Sequence, residues 1–250
     1  MFETDCYACY PKVGMNGDTA VVVKSYESIQ FLSKNADGIF KNASTFEIDY
    51  NVFDMAISGN YTIVGSPLED DNTGAAYVYE KDSSGEWSLF TRIVPSNISR
   101  RAYFGLSVDV DGDVMVVGAT GDREGDVGSA FVYRRNETGW VEEATLAPDD
   151  SNLDSFGAVV SVKGDLIAVG DYKYGVYDKG AVFLYQYNSS VNLWNQINDP
   201  LMNDDCDGRF GSEVVLMEDG GLMIGCYAEN DDAGAVYFYE KSDAGDEFIF

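Results

Sequence analysis

The chain repeats itself, and the repeat constrains the fold more than any other feature of the sequence. The stretch Phe104-Gly-Leu-Ser-Val-Asp-Val-Asp-Gly112-Asp-Val-Met-Val-Val-Gly118 matches Phe156-Gly-Ala-Val-Val-Ser-Val-Lys-Gly164-Asp-Leu-Ile-Ala-Val-Gly170 nearly position for position. A third copy runs from Phe210-Gly211 to Ile224-Gly225, and a fourth from Asn51-Val52 to Val64-Gly65. A fifth, degenerate copy holds Asn16-Gly17-Asp18 followed by an apolar run to Val23. Each unit continues alike: Gly74-Ala-Ala-Tyr77-Val-Tyr79, Gly128-Ser-Ala-Phe131-Val-Tyr133, Gly180-Ala-Val-Phe183-Leu-Tyr185 and Gly234-Ala-Val-Tyr237-Phe-Tyr239. An aromatic residue follows at Trp87, Trp140, Trp194 and Phe248, so every tryptophan of the chain occupies one repeat position.

The segments are short, rich in Val, Ile, Phe and Tyr, and bounded by Gly, Asp, Asn and Ser, which is a strand pattern. Turn glycines fall at 17, 59, 112, 164 and 220. Asn16-Gly17, Ser58-Gly59, Asp111-Gly112 and Lys163-Gly164 read as two-residue hairpin turns needing positive φ, which glycine adopts without a steric penalty. No amphipathic helix stands out. Units of four antiparallel strands at intervals of forty to fifty residues predict an all-β chain, a β-propeller of four-stranded blades in a single domain over 1–250. The blades fall at about 9–50 (degenerate), 51–100, 101–150, 154–205 and 207–250. A two-sheet sandwich is the alternative, but it does not require the same pattern five times.

Composition excludes several functions. Lys and Arg total 16 against 43 Asp and Glu, a net charge of −27. Nucleic acids and anionic membranes reward the opposite sign, so neither is expected as the main partner. Cations and basic proteins are compatible with it. The chain has no histidine, which removes Ser-His-Asp and Cys-His catalysis, His-ligated zinc and His-held haem. No apolar run approaches the ~20 residues of a spanning helix.

The start, Met1 to Cys6, lacks the basic and apolar regions of a signal peptide. Two features nevertheless point to a secreted protein, read here as a truncated precursor. Asn-x-Ser/Thr sequons occur at Asn42, Asn60, Asn97, Asn136 and Asn188, where composition alone would give roughly two. Four cysteines, Cys6, Cys9, Cys206 and Cys226, can supply structural disulfides. Cys6-Tyr-Ala-Cys9 has the spacing of a redox pair but no βαβ context, and no second such pair completes a zinc site.

At these residues the sequence resembles the FG-GAP repeat family, found in the propeller of integrin alpha chains. The Phe-Gly element stands at Phe104-Gly105, Phe156-Gly157 and Phe210-Gly211, and the Gly-Ala-Pro element is approximated by Gly65-Ser66-Pro67, Gly118-Ala119-Thr120, Gly170-Asp171-Tyr172 and Gly225-Cys226-Tyr227. Asn51-Val52 and Cys9-Tyr10 replace Phe-Gly in the first two units. The resemblance implies an extracellular propeller used in adhesion or protein contact, often of seven blades. The five units here make either a five-bladed ring or a segment of a larger one.

Calcium is the cofactor the resemblance implies, held in EF-hand-like loops between the first two strands of a blade. Asp109, Asp111 and Asp113 come nearest to such a loop, but Val114 stands at its sixth position and no acid closes the shell. A tight hairpin with solvated acids is the other reading. A second acidic set follows from topology. In a meander, the loops joining strands two and three share one face with the connections between blades. That face would carry Asp70, Asp71 and Asn72; Asp122, Glu124 and Asp126; Asp149, Asp150 and Asp154; Asp204, Asp205 and Asp207; and Glu229, Asp231 and Asp232. Of these, Asp122, Asp126, Asp231 and Asp232 join the calcium candidates. The turns joining strands three and four point the other way and bring Lys34, Lys81, Arg134, Arg135 and Lys241. The repeated aromatics could form a sugar platform, yet their strict position argues for packing between blades.

A propeller glycosidase needs a distinguished carboxylate pair, and no pair stands out. Asp82-Ser-Ser-Gly85-Glu-Trp87 is one residue short of a sialidase-type turn. The sequence is therefore read as a non-catalytic extracellular module binding a protein ligand, with a basic one favoured by charge. A structural repeat in a larger cell-surface protein and a carbohydrate-active propeller are the alternatives.

Overall fold

A computed structural model describes residues 11–24, 27–122, 127–150, 152–227, 233–241 and the backbone of 248–249. Twenty strands form five antiparallel meanders among these residues. Blade one is β1 (Lys12–Asn16), β2 (Thr19–Lys24), β3 (Ser28–Lys34) and β4 (Phe40–Glu47). Blade two is β5 (Asp54–Ser58), β6 (Tyr61–Ser66), β7 (Ala75–Lys81) and β8 (Trp87–Ile93). Blade three is β9 (Val108–Asp111), β10 (Val114–Ala119), β11 (Ser129–Asn136) and β12 (Gly139–Leu146). Blade four is β13 (Val159–Lys163), β14 (Leu166–Asp171), β15 (Ala181–Asn188) and β16 (Leu193–Leu201). Blade five is β17 (Phe210–Leu216), β18 (Leu222–Cys226), β19 (Ala235–Lys241) and β20 (Phe248–Ile249). The first strands β1, β5, β9, β13 and β17 pack each against the next in chain order. The five sheets stay separate and do not close into one.

The turn glycines behave as their chemistry dictates. Gly17, Gly59, Gly112 and Gly164 all sit at φ of +55° or +56°. The loop lies one residue further along than the sequence pattern suggested. Asn16 pairs with Thr19, Ser58 with Tyr61, Asp111 with Val114 and Lys163 with Leu166. Glycine is thus the first of the two loop residues, the place where a type II′ turn requires it.

The middle strands are buried on both faces: every residue of β10 and of β14 is buried. Their unbroken apolar runs follow from having a neighbouring blade on each side. The cores are accordingly interfaces. One packs Val21, Ile29 and Phe31 of blade one against Val64, Tyr77 and Tyr79 of blade two. The next three join blades two and three, three and four, and four and five. The repeated tryptophans reach back to the preceding blade. Trp87 stacks on Phe31 with centroids 4.2 Å apart, Trp140 meets Tyr61 edge-on, and the Trp194 indole N–H donates to Glu143 at 2.8 Å. They are packing elements, not a displayed sugar platform.

Candidate functional site

The first strands carry acids that look, in sequence, like metal ligands. In the structure they accept hydrogen bonds from the next blade. Asp109 Oδ2 accepts from the Val162 amide at 2.8 Å and the Ser161 hydroxyl at 3.0 Å, and Oδ1 from the Val110 amide. Asp111 accepts from the Gly164 amide at 2.8 Å and from Lys163 Nζ. The same rungs recur with other side chains. Asn16 and Ser58 accept from the amides of Gly59 and Gly112. Asp54 and Ser107 accept from those of Val108 and Val160, and Ser161 from that of Leu216. Each acceptor on one first strand satisfies a donor that the next would otherwise leave orphaned. Burial pushes the Asp109 carboxyl up to about 6, against the pull of its hydrogen bonds. Asp113 is an exposed turn residue. Among the described residues, no three acidic or cysteine side chains converge as a metal site. Asp126, Asp231 and Asp232 lie outside the described residues, as do Glu124 and Glu229.

The opposite ends of the strands form the loop face. Asp122 is buried there and accepts from the Ser99 amide at 3.0 Å. Asp171 is fully buried, with the amides of Ser155, Asp154 and Lys173 on its two oxygens; burial still pushes it up to about 6. These two carboxylates tie the connection between blades to the loop joining strands two and three. Asp150 is held below the usual carboxylate range by the Asn152 amide, helped by the Tyr174 hydroxyl. In blade two the short turn Glu69–Asn72 holds Asp70, Asp71 and Asn72 at positive φ. Arg92 bridges Glu69 and Asp70, and Arg100 pairs with Asp71. Asp149, Asp154, Asp204, Asp205 and Asp207 are exposed. The face is not uniformly acidic, since Arg100, Arg101, Lys173, Lys179 and Arg209 share it. Those cations were missed because they lie between the repeated segments, where no register flags them.

One loop residue stands apart. Tyr177 is 91% exposed, beside Val176 at 70%. Tyr177 and Asp178 both sit in the left-handed region, at φ +65° and +53°. Such conformations cost on the order of 1 kcal/mol each and persist only when the surroundings fix them. Here the Arg209 amide donates to the Asp178 carbonyl at 2.7 Å, and the Gly180 amide to that of Tyr174 at 3.0 Å. The Arg209 guanidinium lies 5.3 Å from the centre of the Tyr227 ring. The loop thus presents an aromatic and an aliphatic side chain to solvent beside the exposed Asp178. Tyr177 has no counterpart in the other units; its standing outside the repeat is the signal that could have found it.

The disulfide is Cys206–Cys226, both members buried, joining the connection before blade five to β18. Cys6 and Cys9 lie outside the described residues. All five sequon asparagines, Asn42, Asn60, Asn97, Asn136 and Asn188, are exposed. Asn60, Asn136 and Asn188 belong to hairpin turns, at the end of the blades away from the loop face. Asn42 lies on the outer strand β4 and Asn97 in a connection between blades.

Five four-stranded antiparallel blades, coupled edge to edge through their first strands, define a propeller-like repeat protein. Two stretches, residues 87–133 and 140–185, match the FG-GAP repeat. Each runs from the outer tryptophan of one blade to the third strand of the next, and so spans one Phe-Gly junction. Residues 87–133 and 140–185 thus carry FG-GAP repeats. FG-GAP repeats are typical of extracellular proteins, adhesion proteins among them, and are generally non-catalytic. No helix among the described residues is long and apolar enough to cross a membrane.

Proposed function

We propose that this chain is a non-catalytic extracellular module that binds a protein ligand through its loop face. The observation that carries this reading is the presentation to solvent of Tyr177 and Val176 on a loop whose Tyr177 and Asp178 sit in the left-handed region. Interface energy concentrates in a few aromatic and Arg anchors ringed by polar groups, and tyrosine offers large contact area at little entropic cost. An exposed tyrosine held in a strained backbone has no packing role that would explain it. The chain's net charge of −27 favours a ligand with basic residues and an association that weakens with salt. The buried disulfide suits an oxidising compartment, and the exposed sequons suit the secretory route. Asn60, Asn136 and Asn188 would put glycans on the far end of the blades and leave the Tyr177 loop open.

The test uses the protein secreted with its glycans, probed against an array of purified ectodomains spanning a range of isoelectric points. The expected result is saturable binding of a basic ectodomain, weakened by salt. Tyr177→Ala should weaken it at least about tenfold, as expected of an anchor residue. The melting temperature should not move, because the side chain packs on nothing. Binding unaffected by Tyr177→Ala, or no saturable ligand across the array, would overturn the proposal.

A further inference from the structure

Three junctions between blades are built alike. The arriving blade brings Phe104-Gly105, Phe156-Gly157 or Phe210-Gly211, with each phenylalanine ring fully buried. The receiving blade offers two glycines: Gly65 with Gly74, Gly118 with Gly128, or Gly170 with Gly180. A Cβ on any of these six would fall within 3.0 Å of the arriving Phe-Gly backbone. The phenylalanine amide donates to the carbonyl just before the second glycine, that of Thr73, Val127 or Lys179, at 2.9 to 3.2 Å. The remaining junction, from blade one to blade two, lacks both halves. Asn51-Val52 arrives, and Val23 and Glu27 occupy the receiving positions set by strand register. At these four junctions, the glycine pair and the Phe-Gly element therefore occur together or not at all.

Blade five carries the glycine pair, as Gly225 and Gly234, with Gly234 at φ +75° beside +84° to +87° for its three counterparts. Among the described residues, the atoms nearest to either belong to blade five. A Cβ at Gly225 would meet Glu213 and Ser212 at 3.2 and 3.3 Å, and one at Gly234 would meet the Cys226 carbonyl at 3.3 Å. These are all blade-five atoms. The adjoining apolar face is open too: Val236 is 58% exposed and Phe238 57%. Their counterparts Ala76, Ala130 and Val182, and Val78, Val132 and Leu184, are at most 2% exposed. A groove lined by Ser212, Gly225, Tyr227, Gly234 and Val236 marks the place.

We propose that this groove is a receptor for the leading strand of a further FG-GAP blade, one that opens with Phe-Gly. Blade one, from this chain or a second copy, is the wrong occupant. It opens with Cys9-Tyr10, and at the second position a Cβ would press into the receiving carbonyl, as one at Gly105 would against Ala75. An exposed apolar face of this kind on an otherwise acidic surface also calls for a cover.

The experiment appends a copy of residues 101–150 after Phe250 and compares it with the unextended protein by urea denaturation and by binding of a hydrophobic dye. The Phe-Gly blade should raise the urea midpoint and lower dye fluorescence as the face is covered. An appended copy carrying Phe104→Ala and Gly105→Val should do neither. Gly225→Ala should change the unextended protein little, because a Cβ there comes no nearer than 3.2 Å to any atom, yet cancel the gain in the extended one. Equal gains from both appended copies would overturn the proposal. So would a gain that survives Gly225→Ala, or an unextended protein that sediments as a dimer with the face already covered. Ectodomain binding plays no part in these readouts, so they stand or fall apart from the ligand proposal.

Discussion

Replacing Gly118 by alanine should uncouple blades three and four. Gly118 lies on β10, fully enclosed, and a Cβ there would fall well within 3.0 Å of the Gly157 carbonyl. The obstacle is backbone, so no flexible side chain can move aside. Phe156-Gly157 must retreat, which loosens a ring that is 0% exposed and packs against Phe183 and Tyr185. Overpacking of this kind costs about 1–3 kcal/mol. Partial exposure of a large apolar side chain adds about 1–2 kcal/mol, and the bond from the Phe156 amide to the Val127 carbonyl contributes about 1 kcal/mol more. A loss of about 3–6 kcal/mol follows, equivalent to a urea midpoint lower by about 1–2 M. Gly112→Ala is the control. Unlike Gly118 it sits at φ +55°, and it meets nothing within 4 Å, so only the left-handed conformation is penalised, at about 1–2 kcal/mol. Tryptophan fluorescence in a urea titration reads both variants. A midpoint for Gly118→Ala no lower than that for Gly112→Ala would refute the account of the junction.

Other outcomes follow from the same geometry. Asp109 and Asp171 have folded pKa values raised to about 6 by burial. Their contribution to stability is therefore present below the ordinary carboxylate range and is lost as pH rises through about 6. The loss is at most about 3 kcal/mol each, and urea midpoints measured from pH 4 to 7.5 should fall less steeply in Asp109→Asn than in the wild type. A slope unchanged by that substitution would count against the buried carboxyl. Reducing the Cys206–Cys226 disulfide, which closes a loop of sequence separation 20, should cost about 3 kcal/mol, read as a lower midpoint in dithiothreitol; no shift would mean the bond constrains nothing. With a net charge of −27, sodium chloride should raise the melting temperature by screening self-repulsion. Millimolar calcium at fixed ionic strength should add little, because the oxygens of Asp109 and Asp111 already accept hydrogen bonds from blade four. A large saturating calcium shift would contradict that.

The sequence revealed what the repeat encodes. Phe104, Phe156 and Phe210, the turn glycines and the three tryptophans recur in fixed register, and each occurrence checks the others. Strand order, blade count and the packing role of the tryptophans were legible for that reason. The hairpin loops were misplaced by one residue because Asn-Gly and Gly-Asp both suit a two-residue turn, and only cross-strand pairing separates them. The role of Asp109 was hidden because its partners, Ser161 and Val162, lie 52 and 53 residues away. Nothing local distinguishes an acid aimed at the next blade from one aimed at an ion. The pairing of Cys206 with Cys226 needed three-dimensional proximity. Tyr177 and the cations of the loop face escaped notice because they vary from unit to unit.

The central claim, that the loop face binds and the hairpin end does not, is tested most directly by a glycan wedge. Tyr177→Asn with Lys179→Thr creates a sequon at the tip of the exposed loop. The secreted variant, with occupancy confirmed by mass spectrometry, is compared with wild type for binding to the ectodomain captured on the array. The account predicts that the wedge abolishes binding, whereas enzymatic removal of glycans from Asn60, Asn136 and Asn188 leaves the wild-type affinity unchanged. Full binding by the occupied variant, or loss of binding when the hairpin-end glycans are removed, would contradict it.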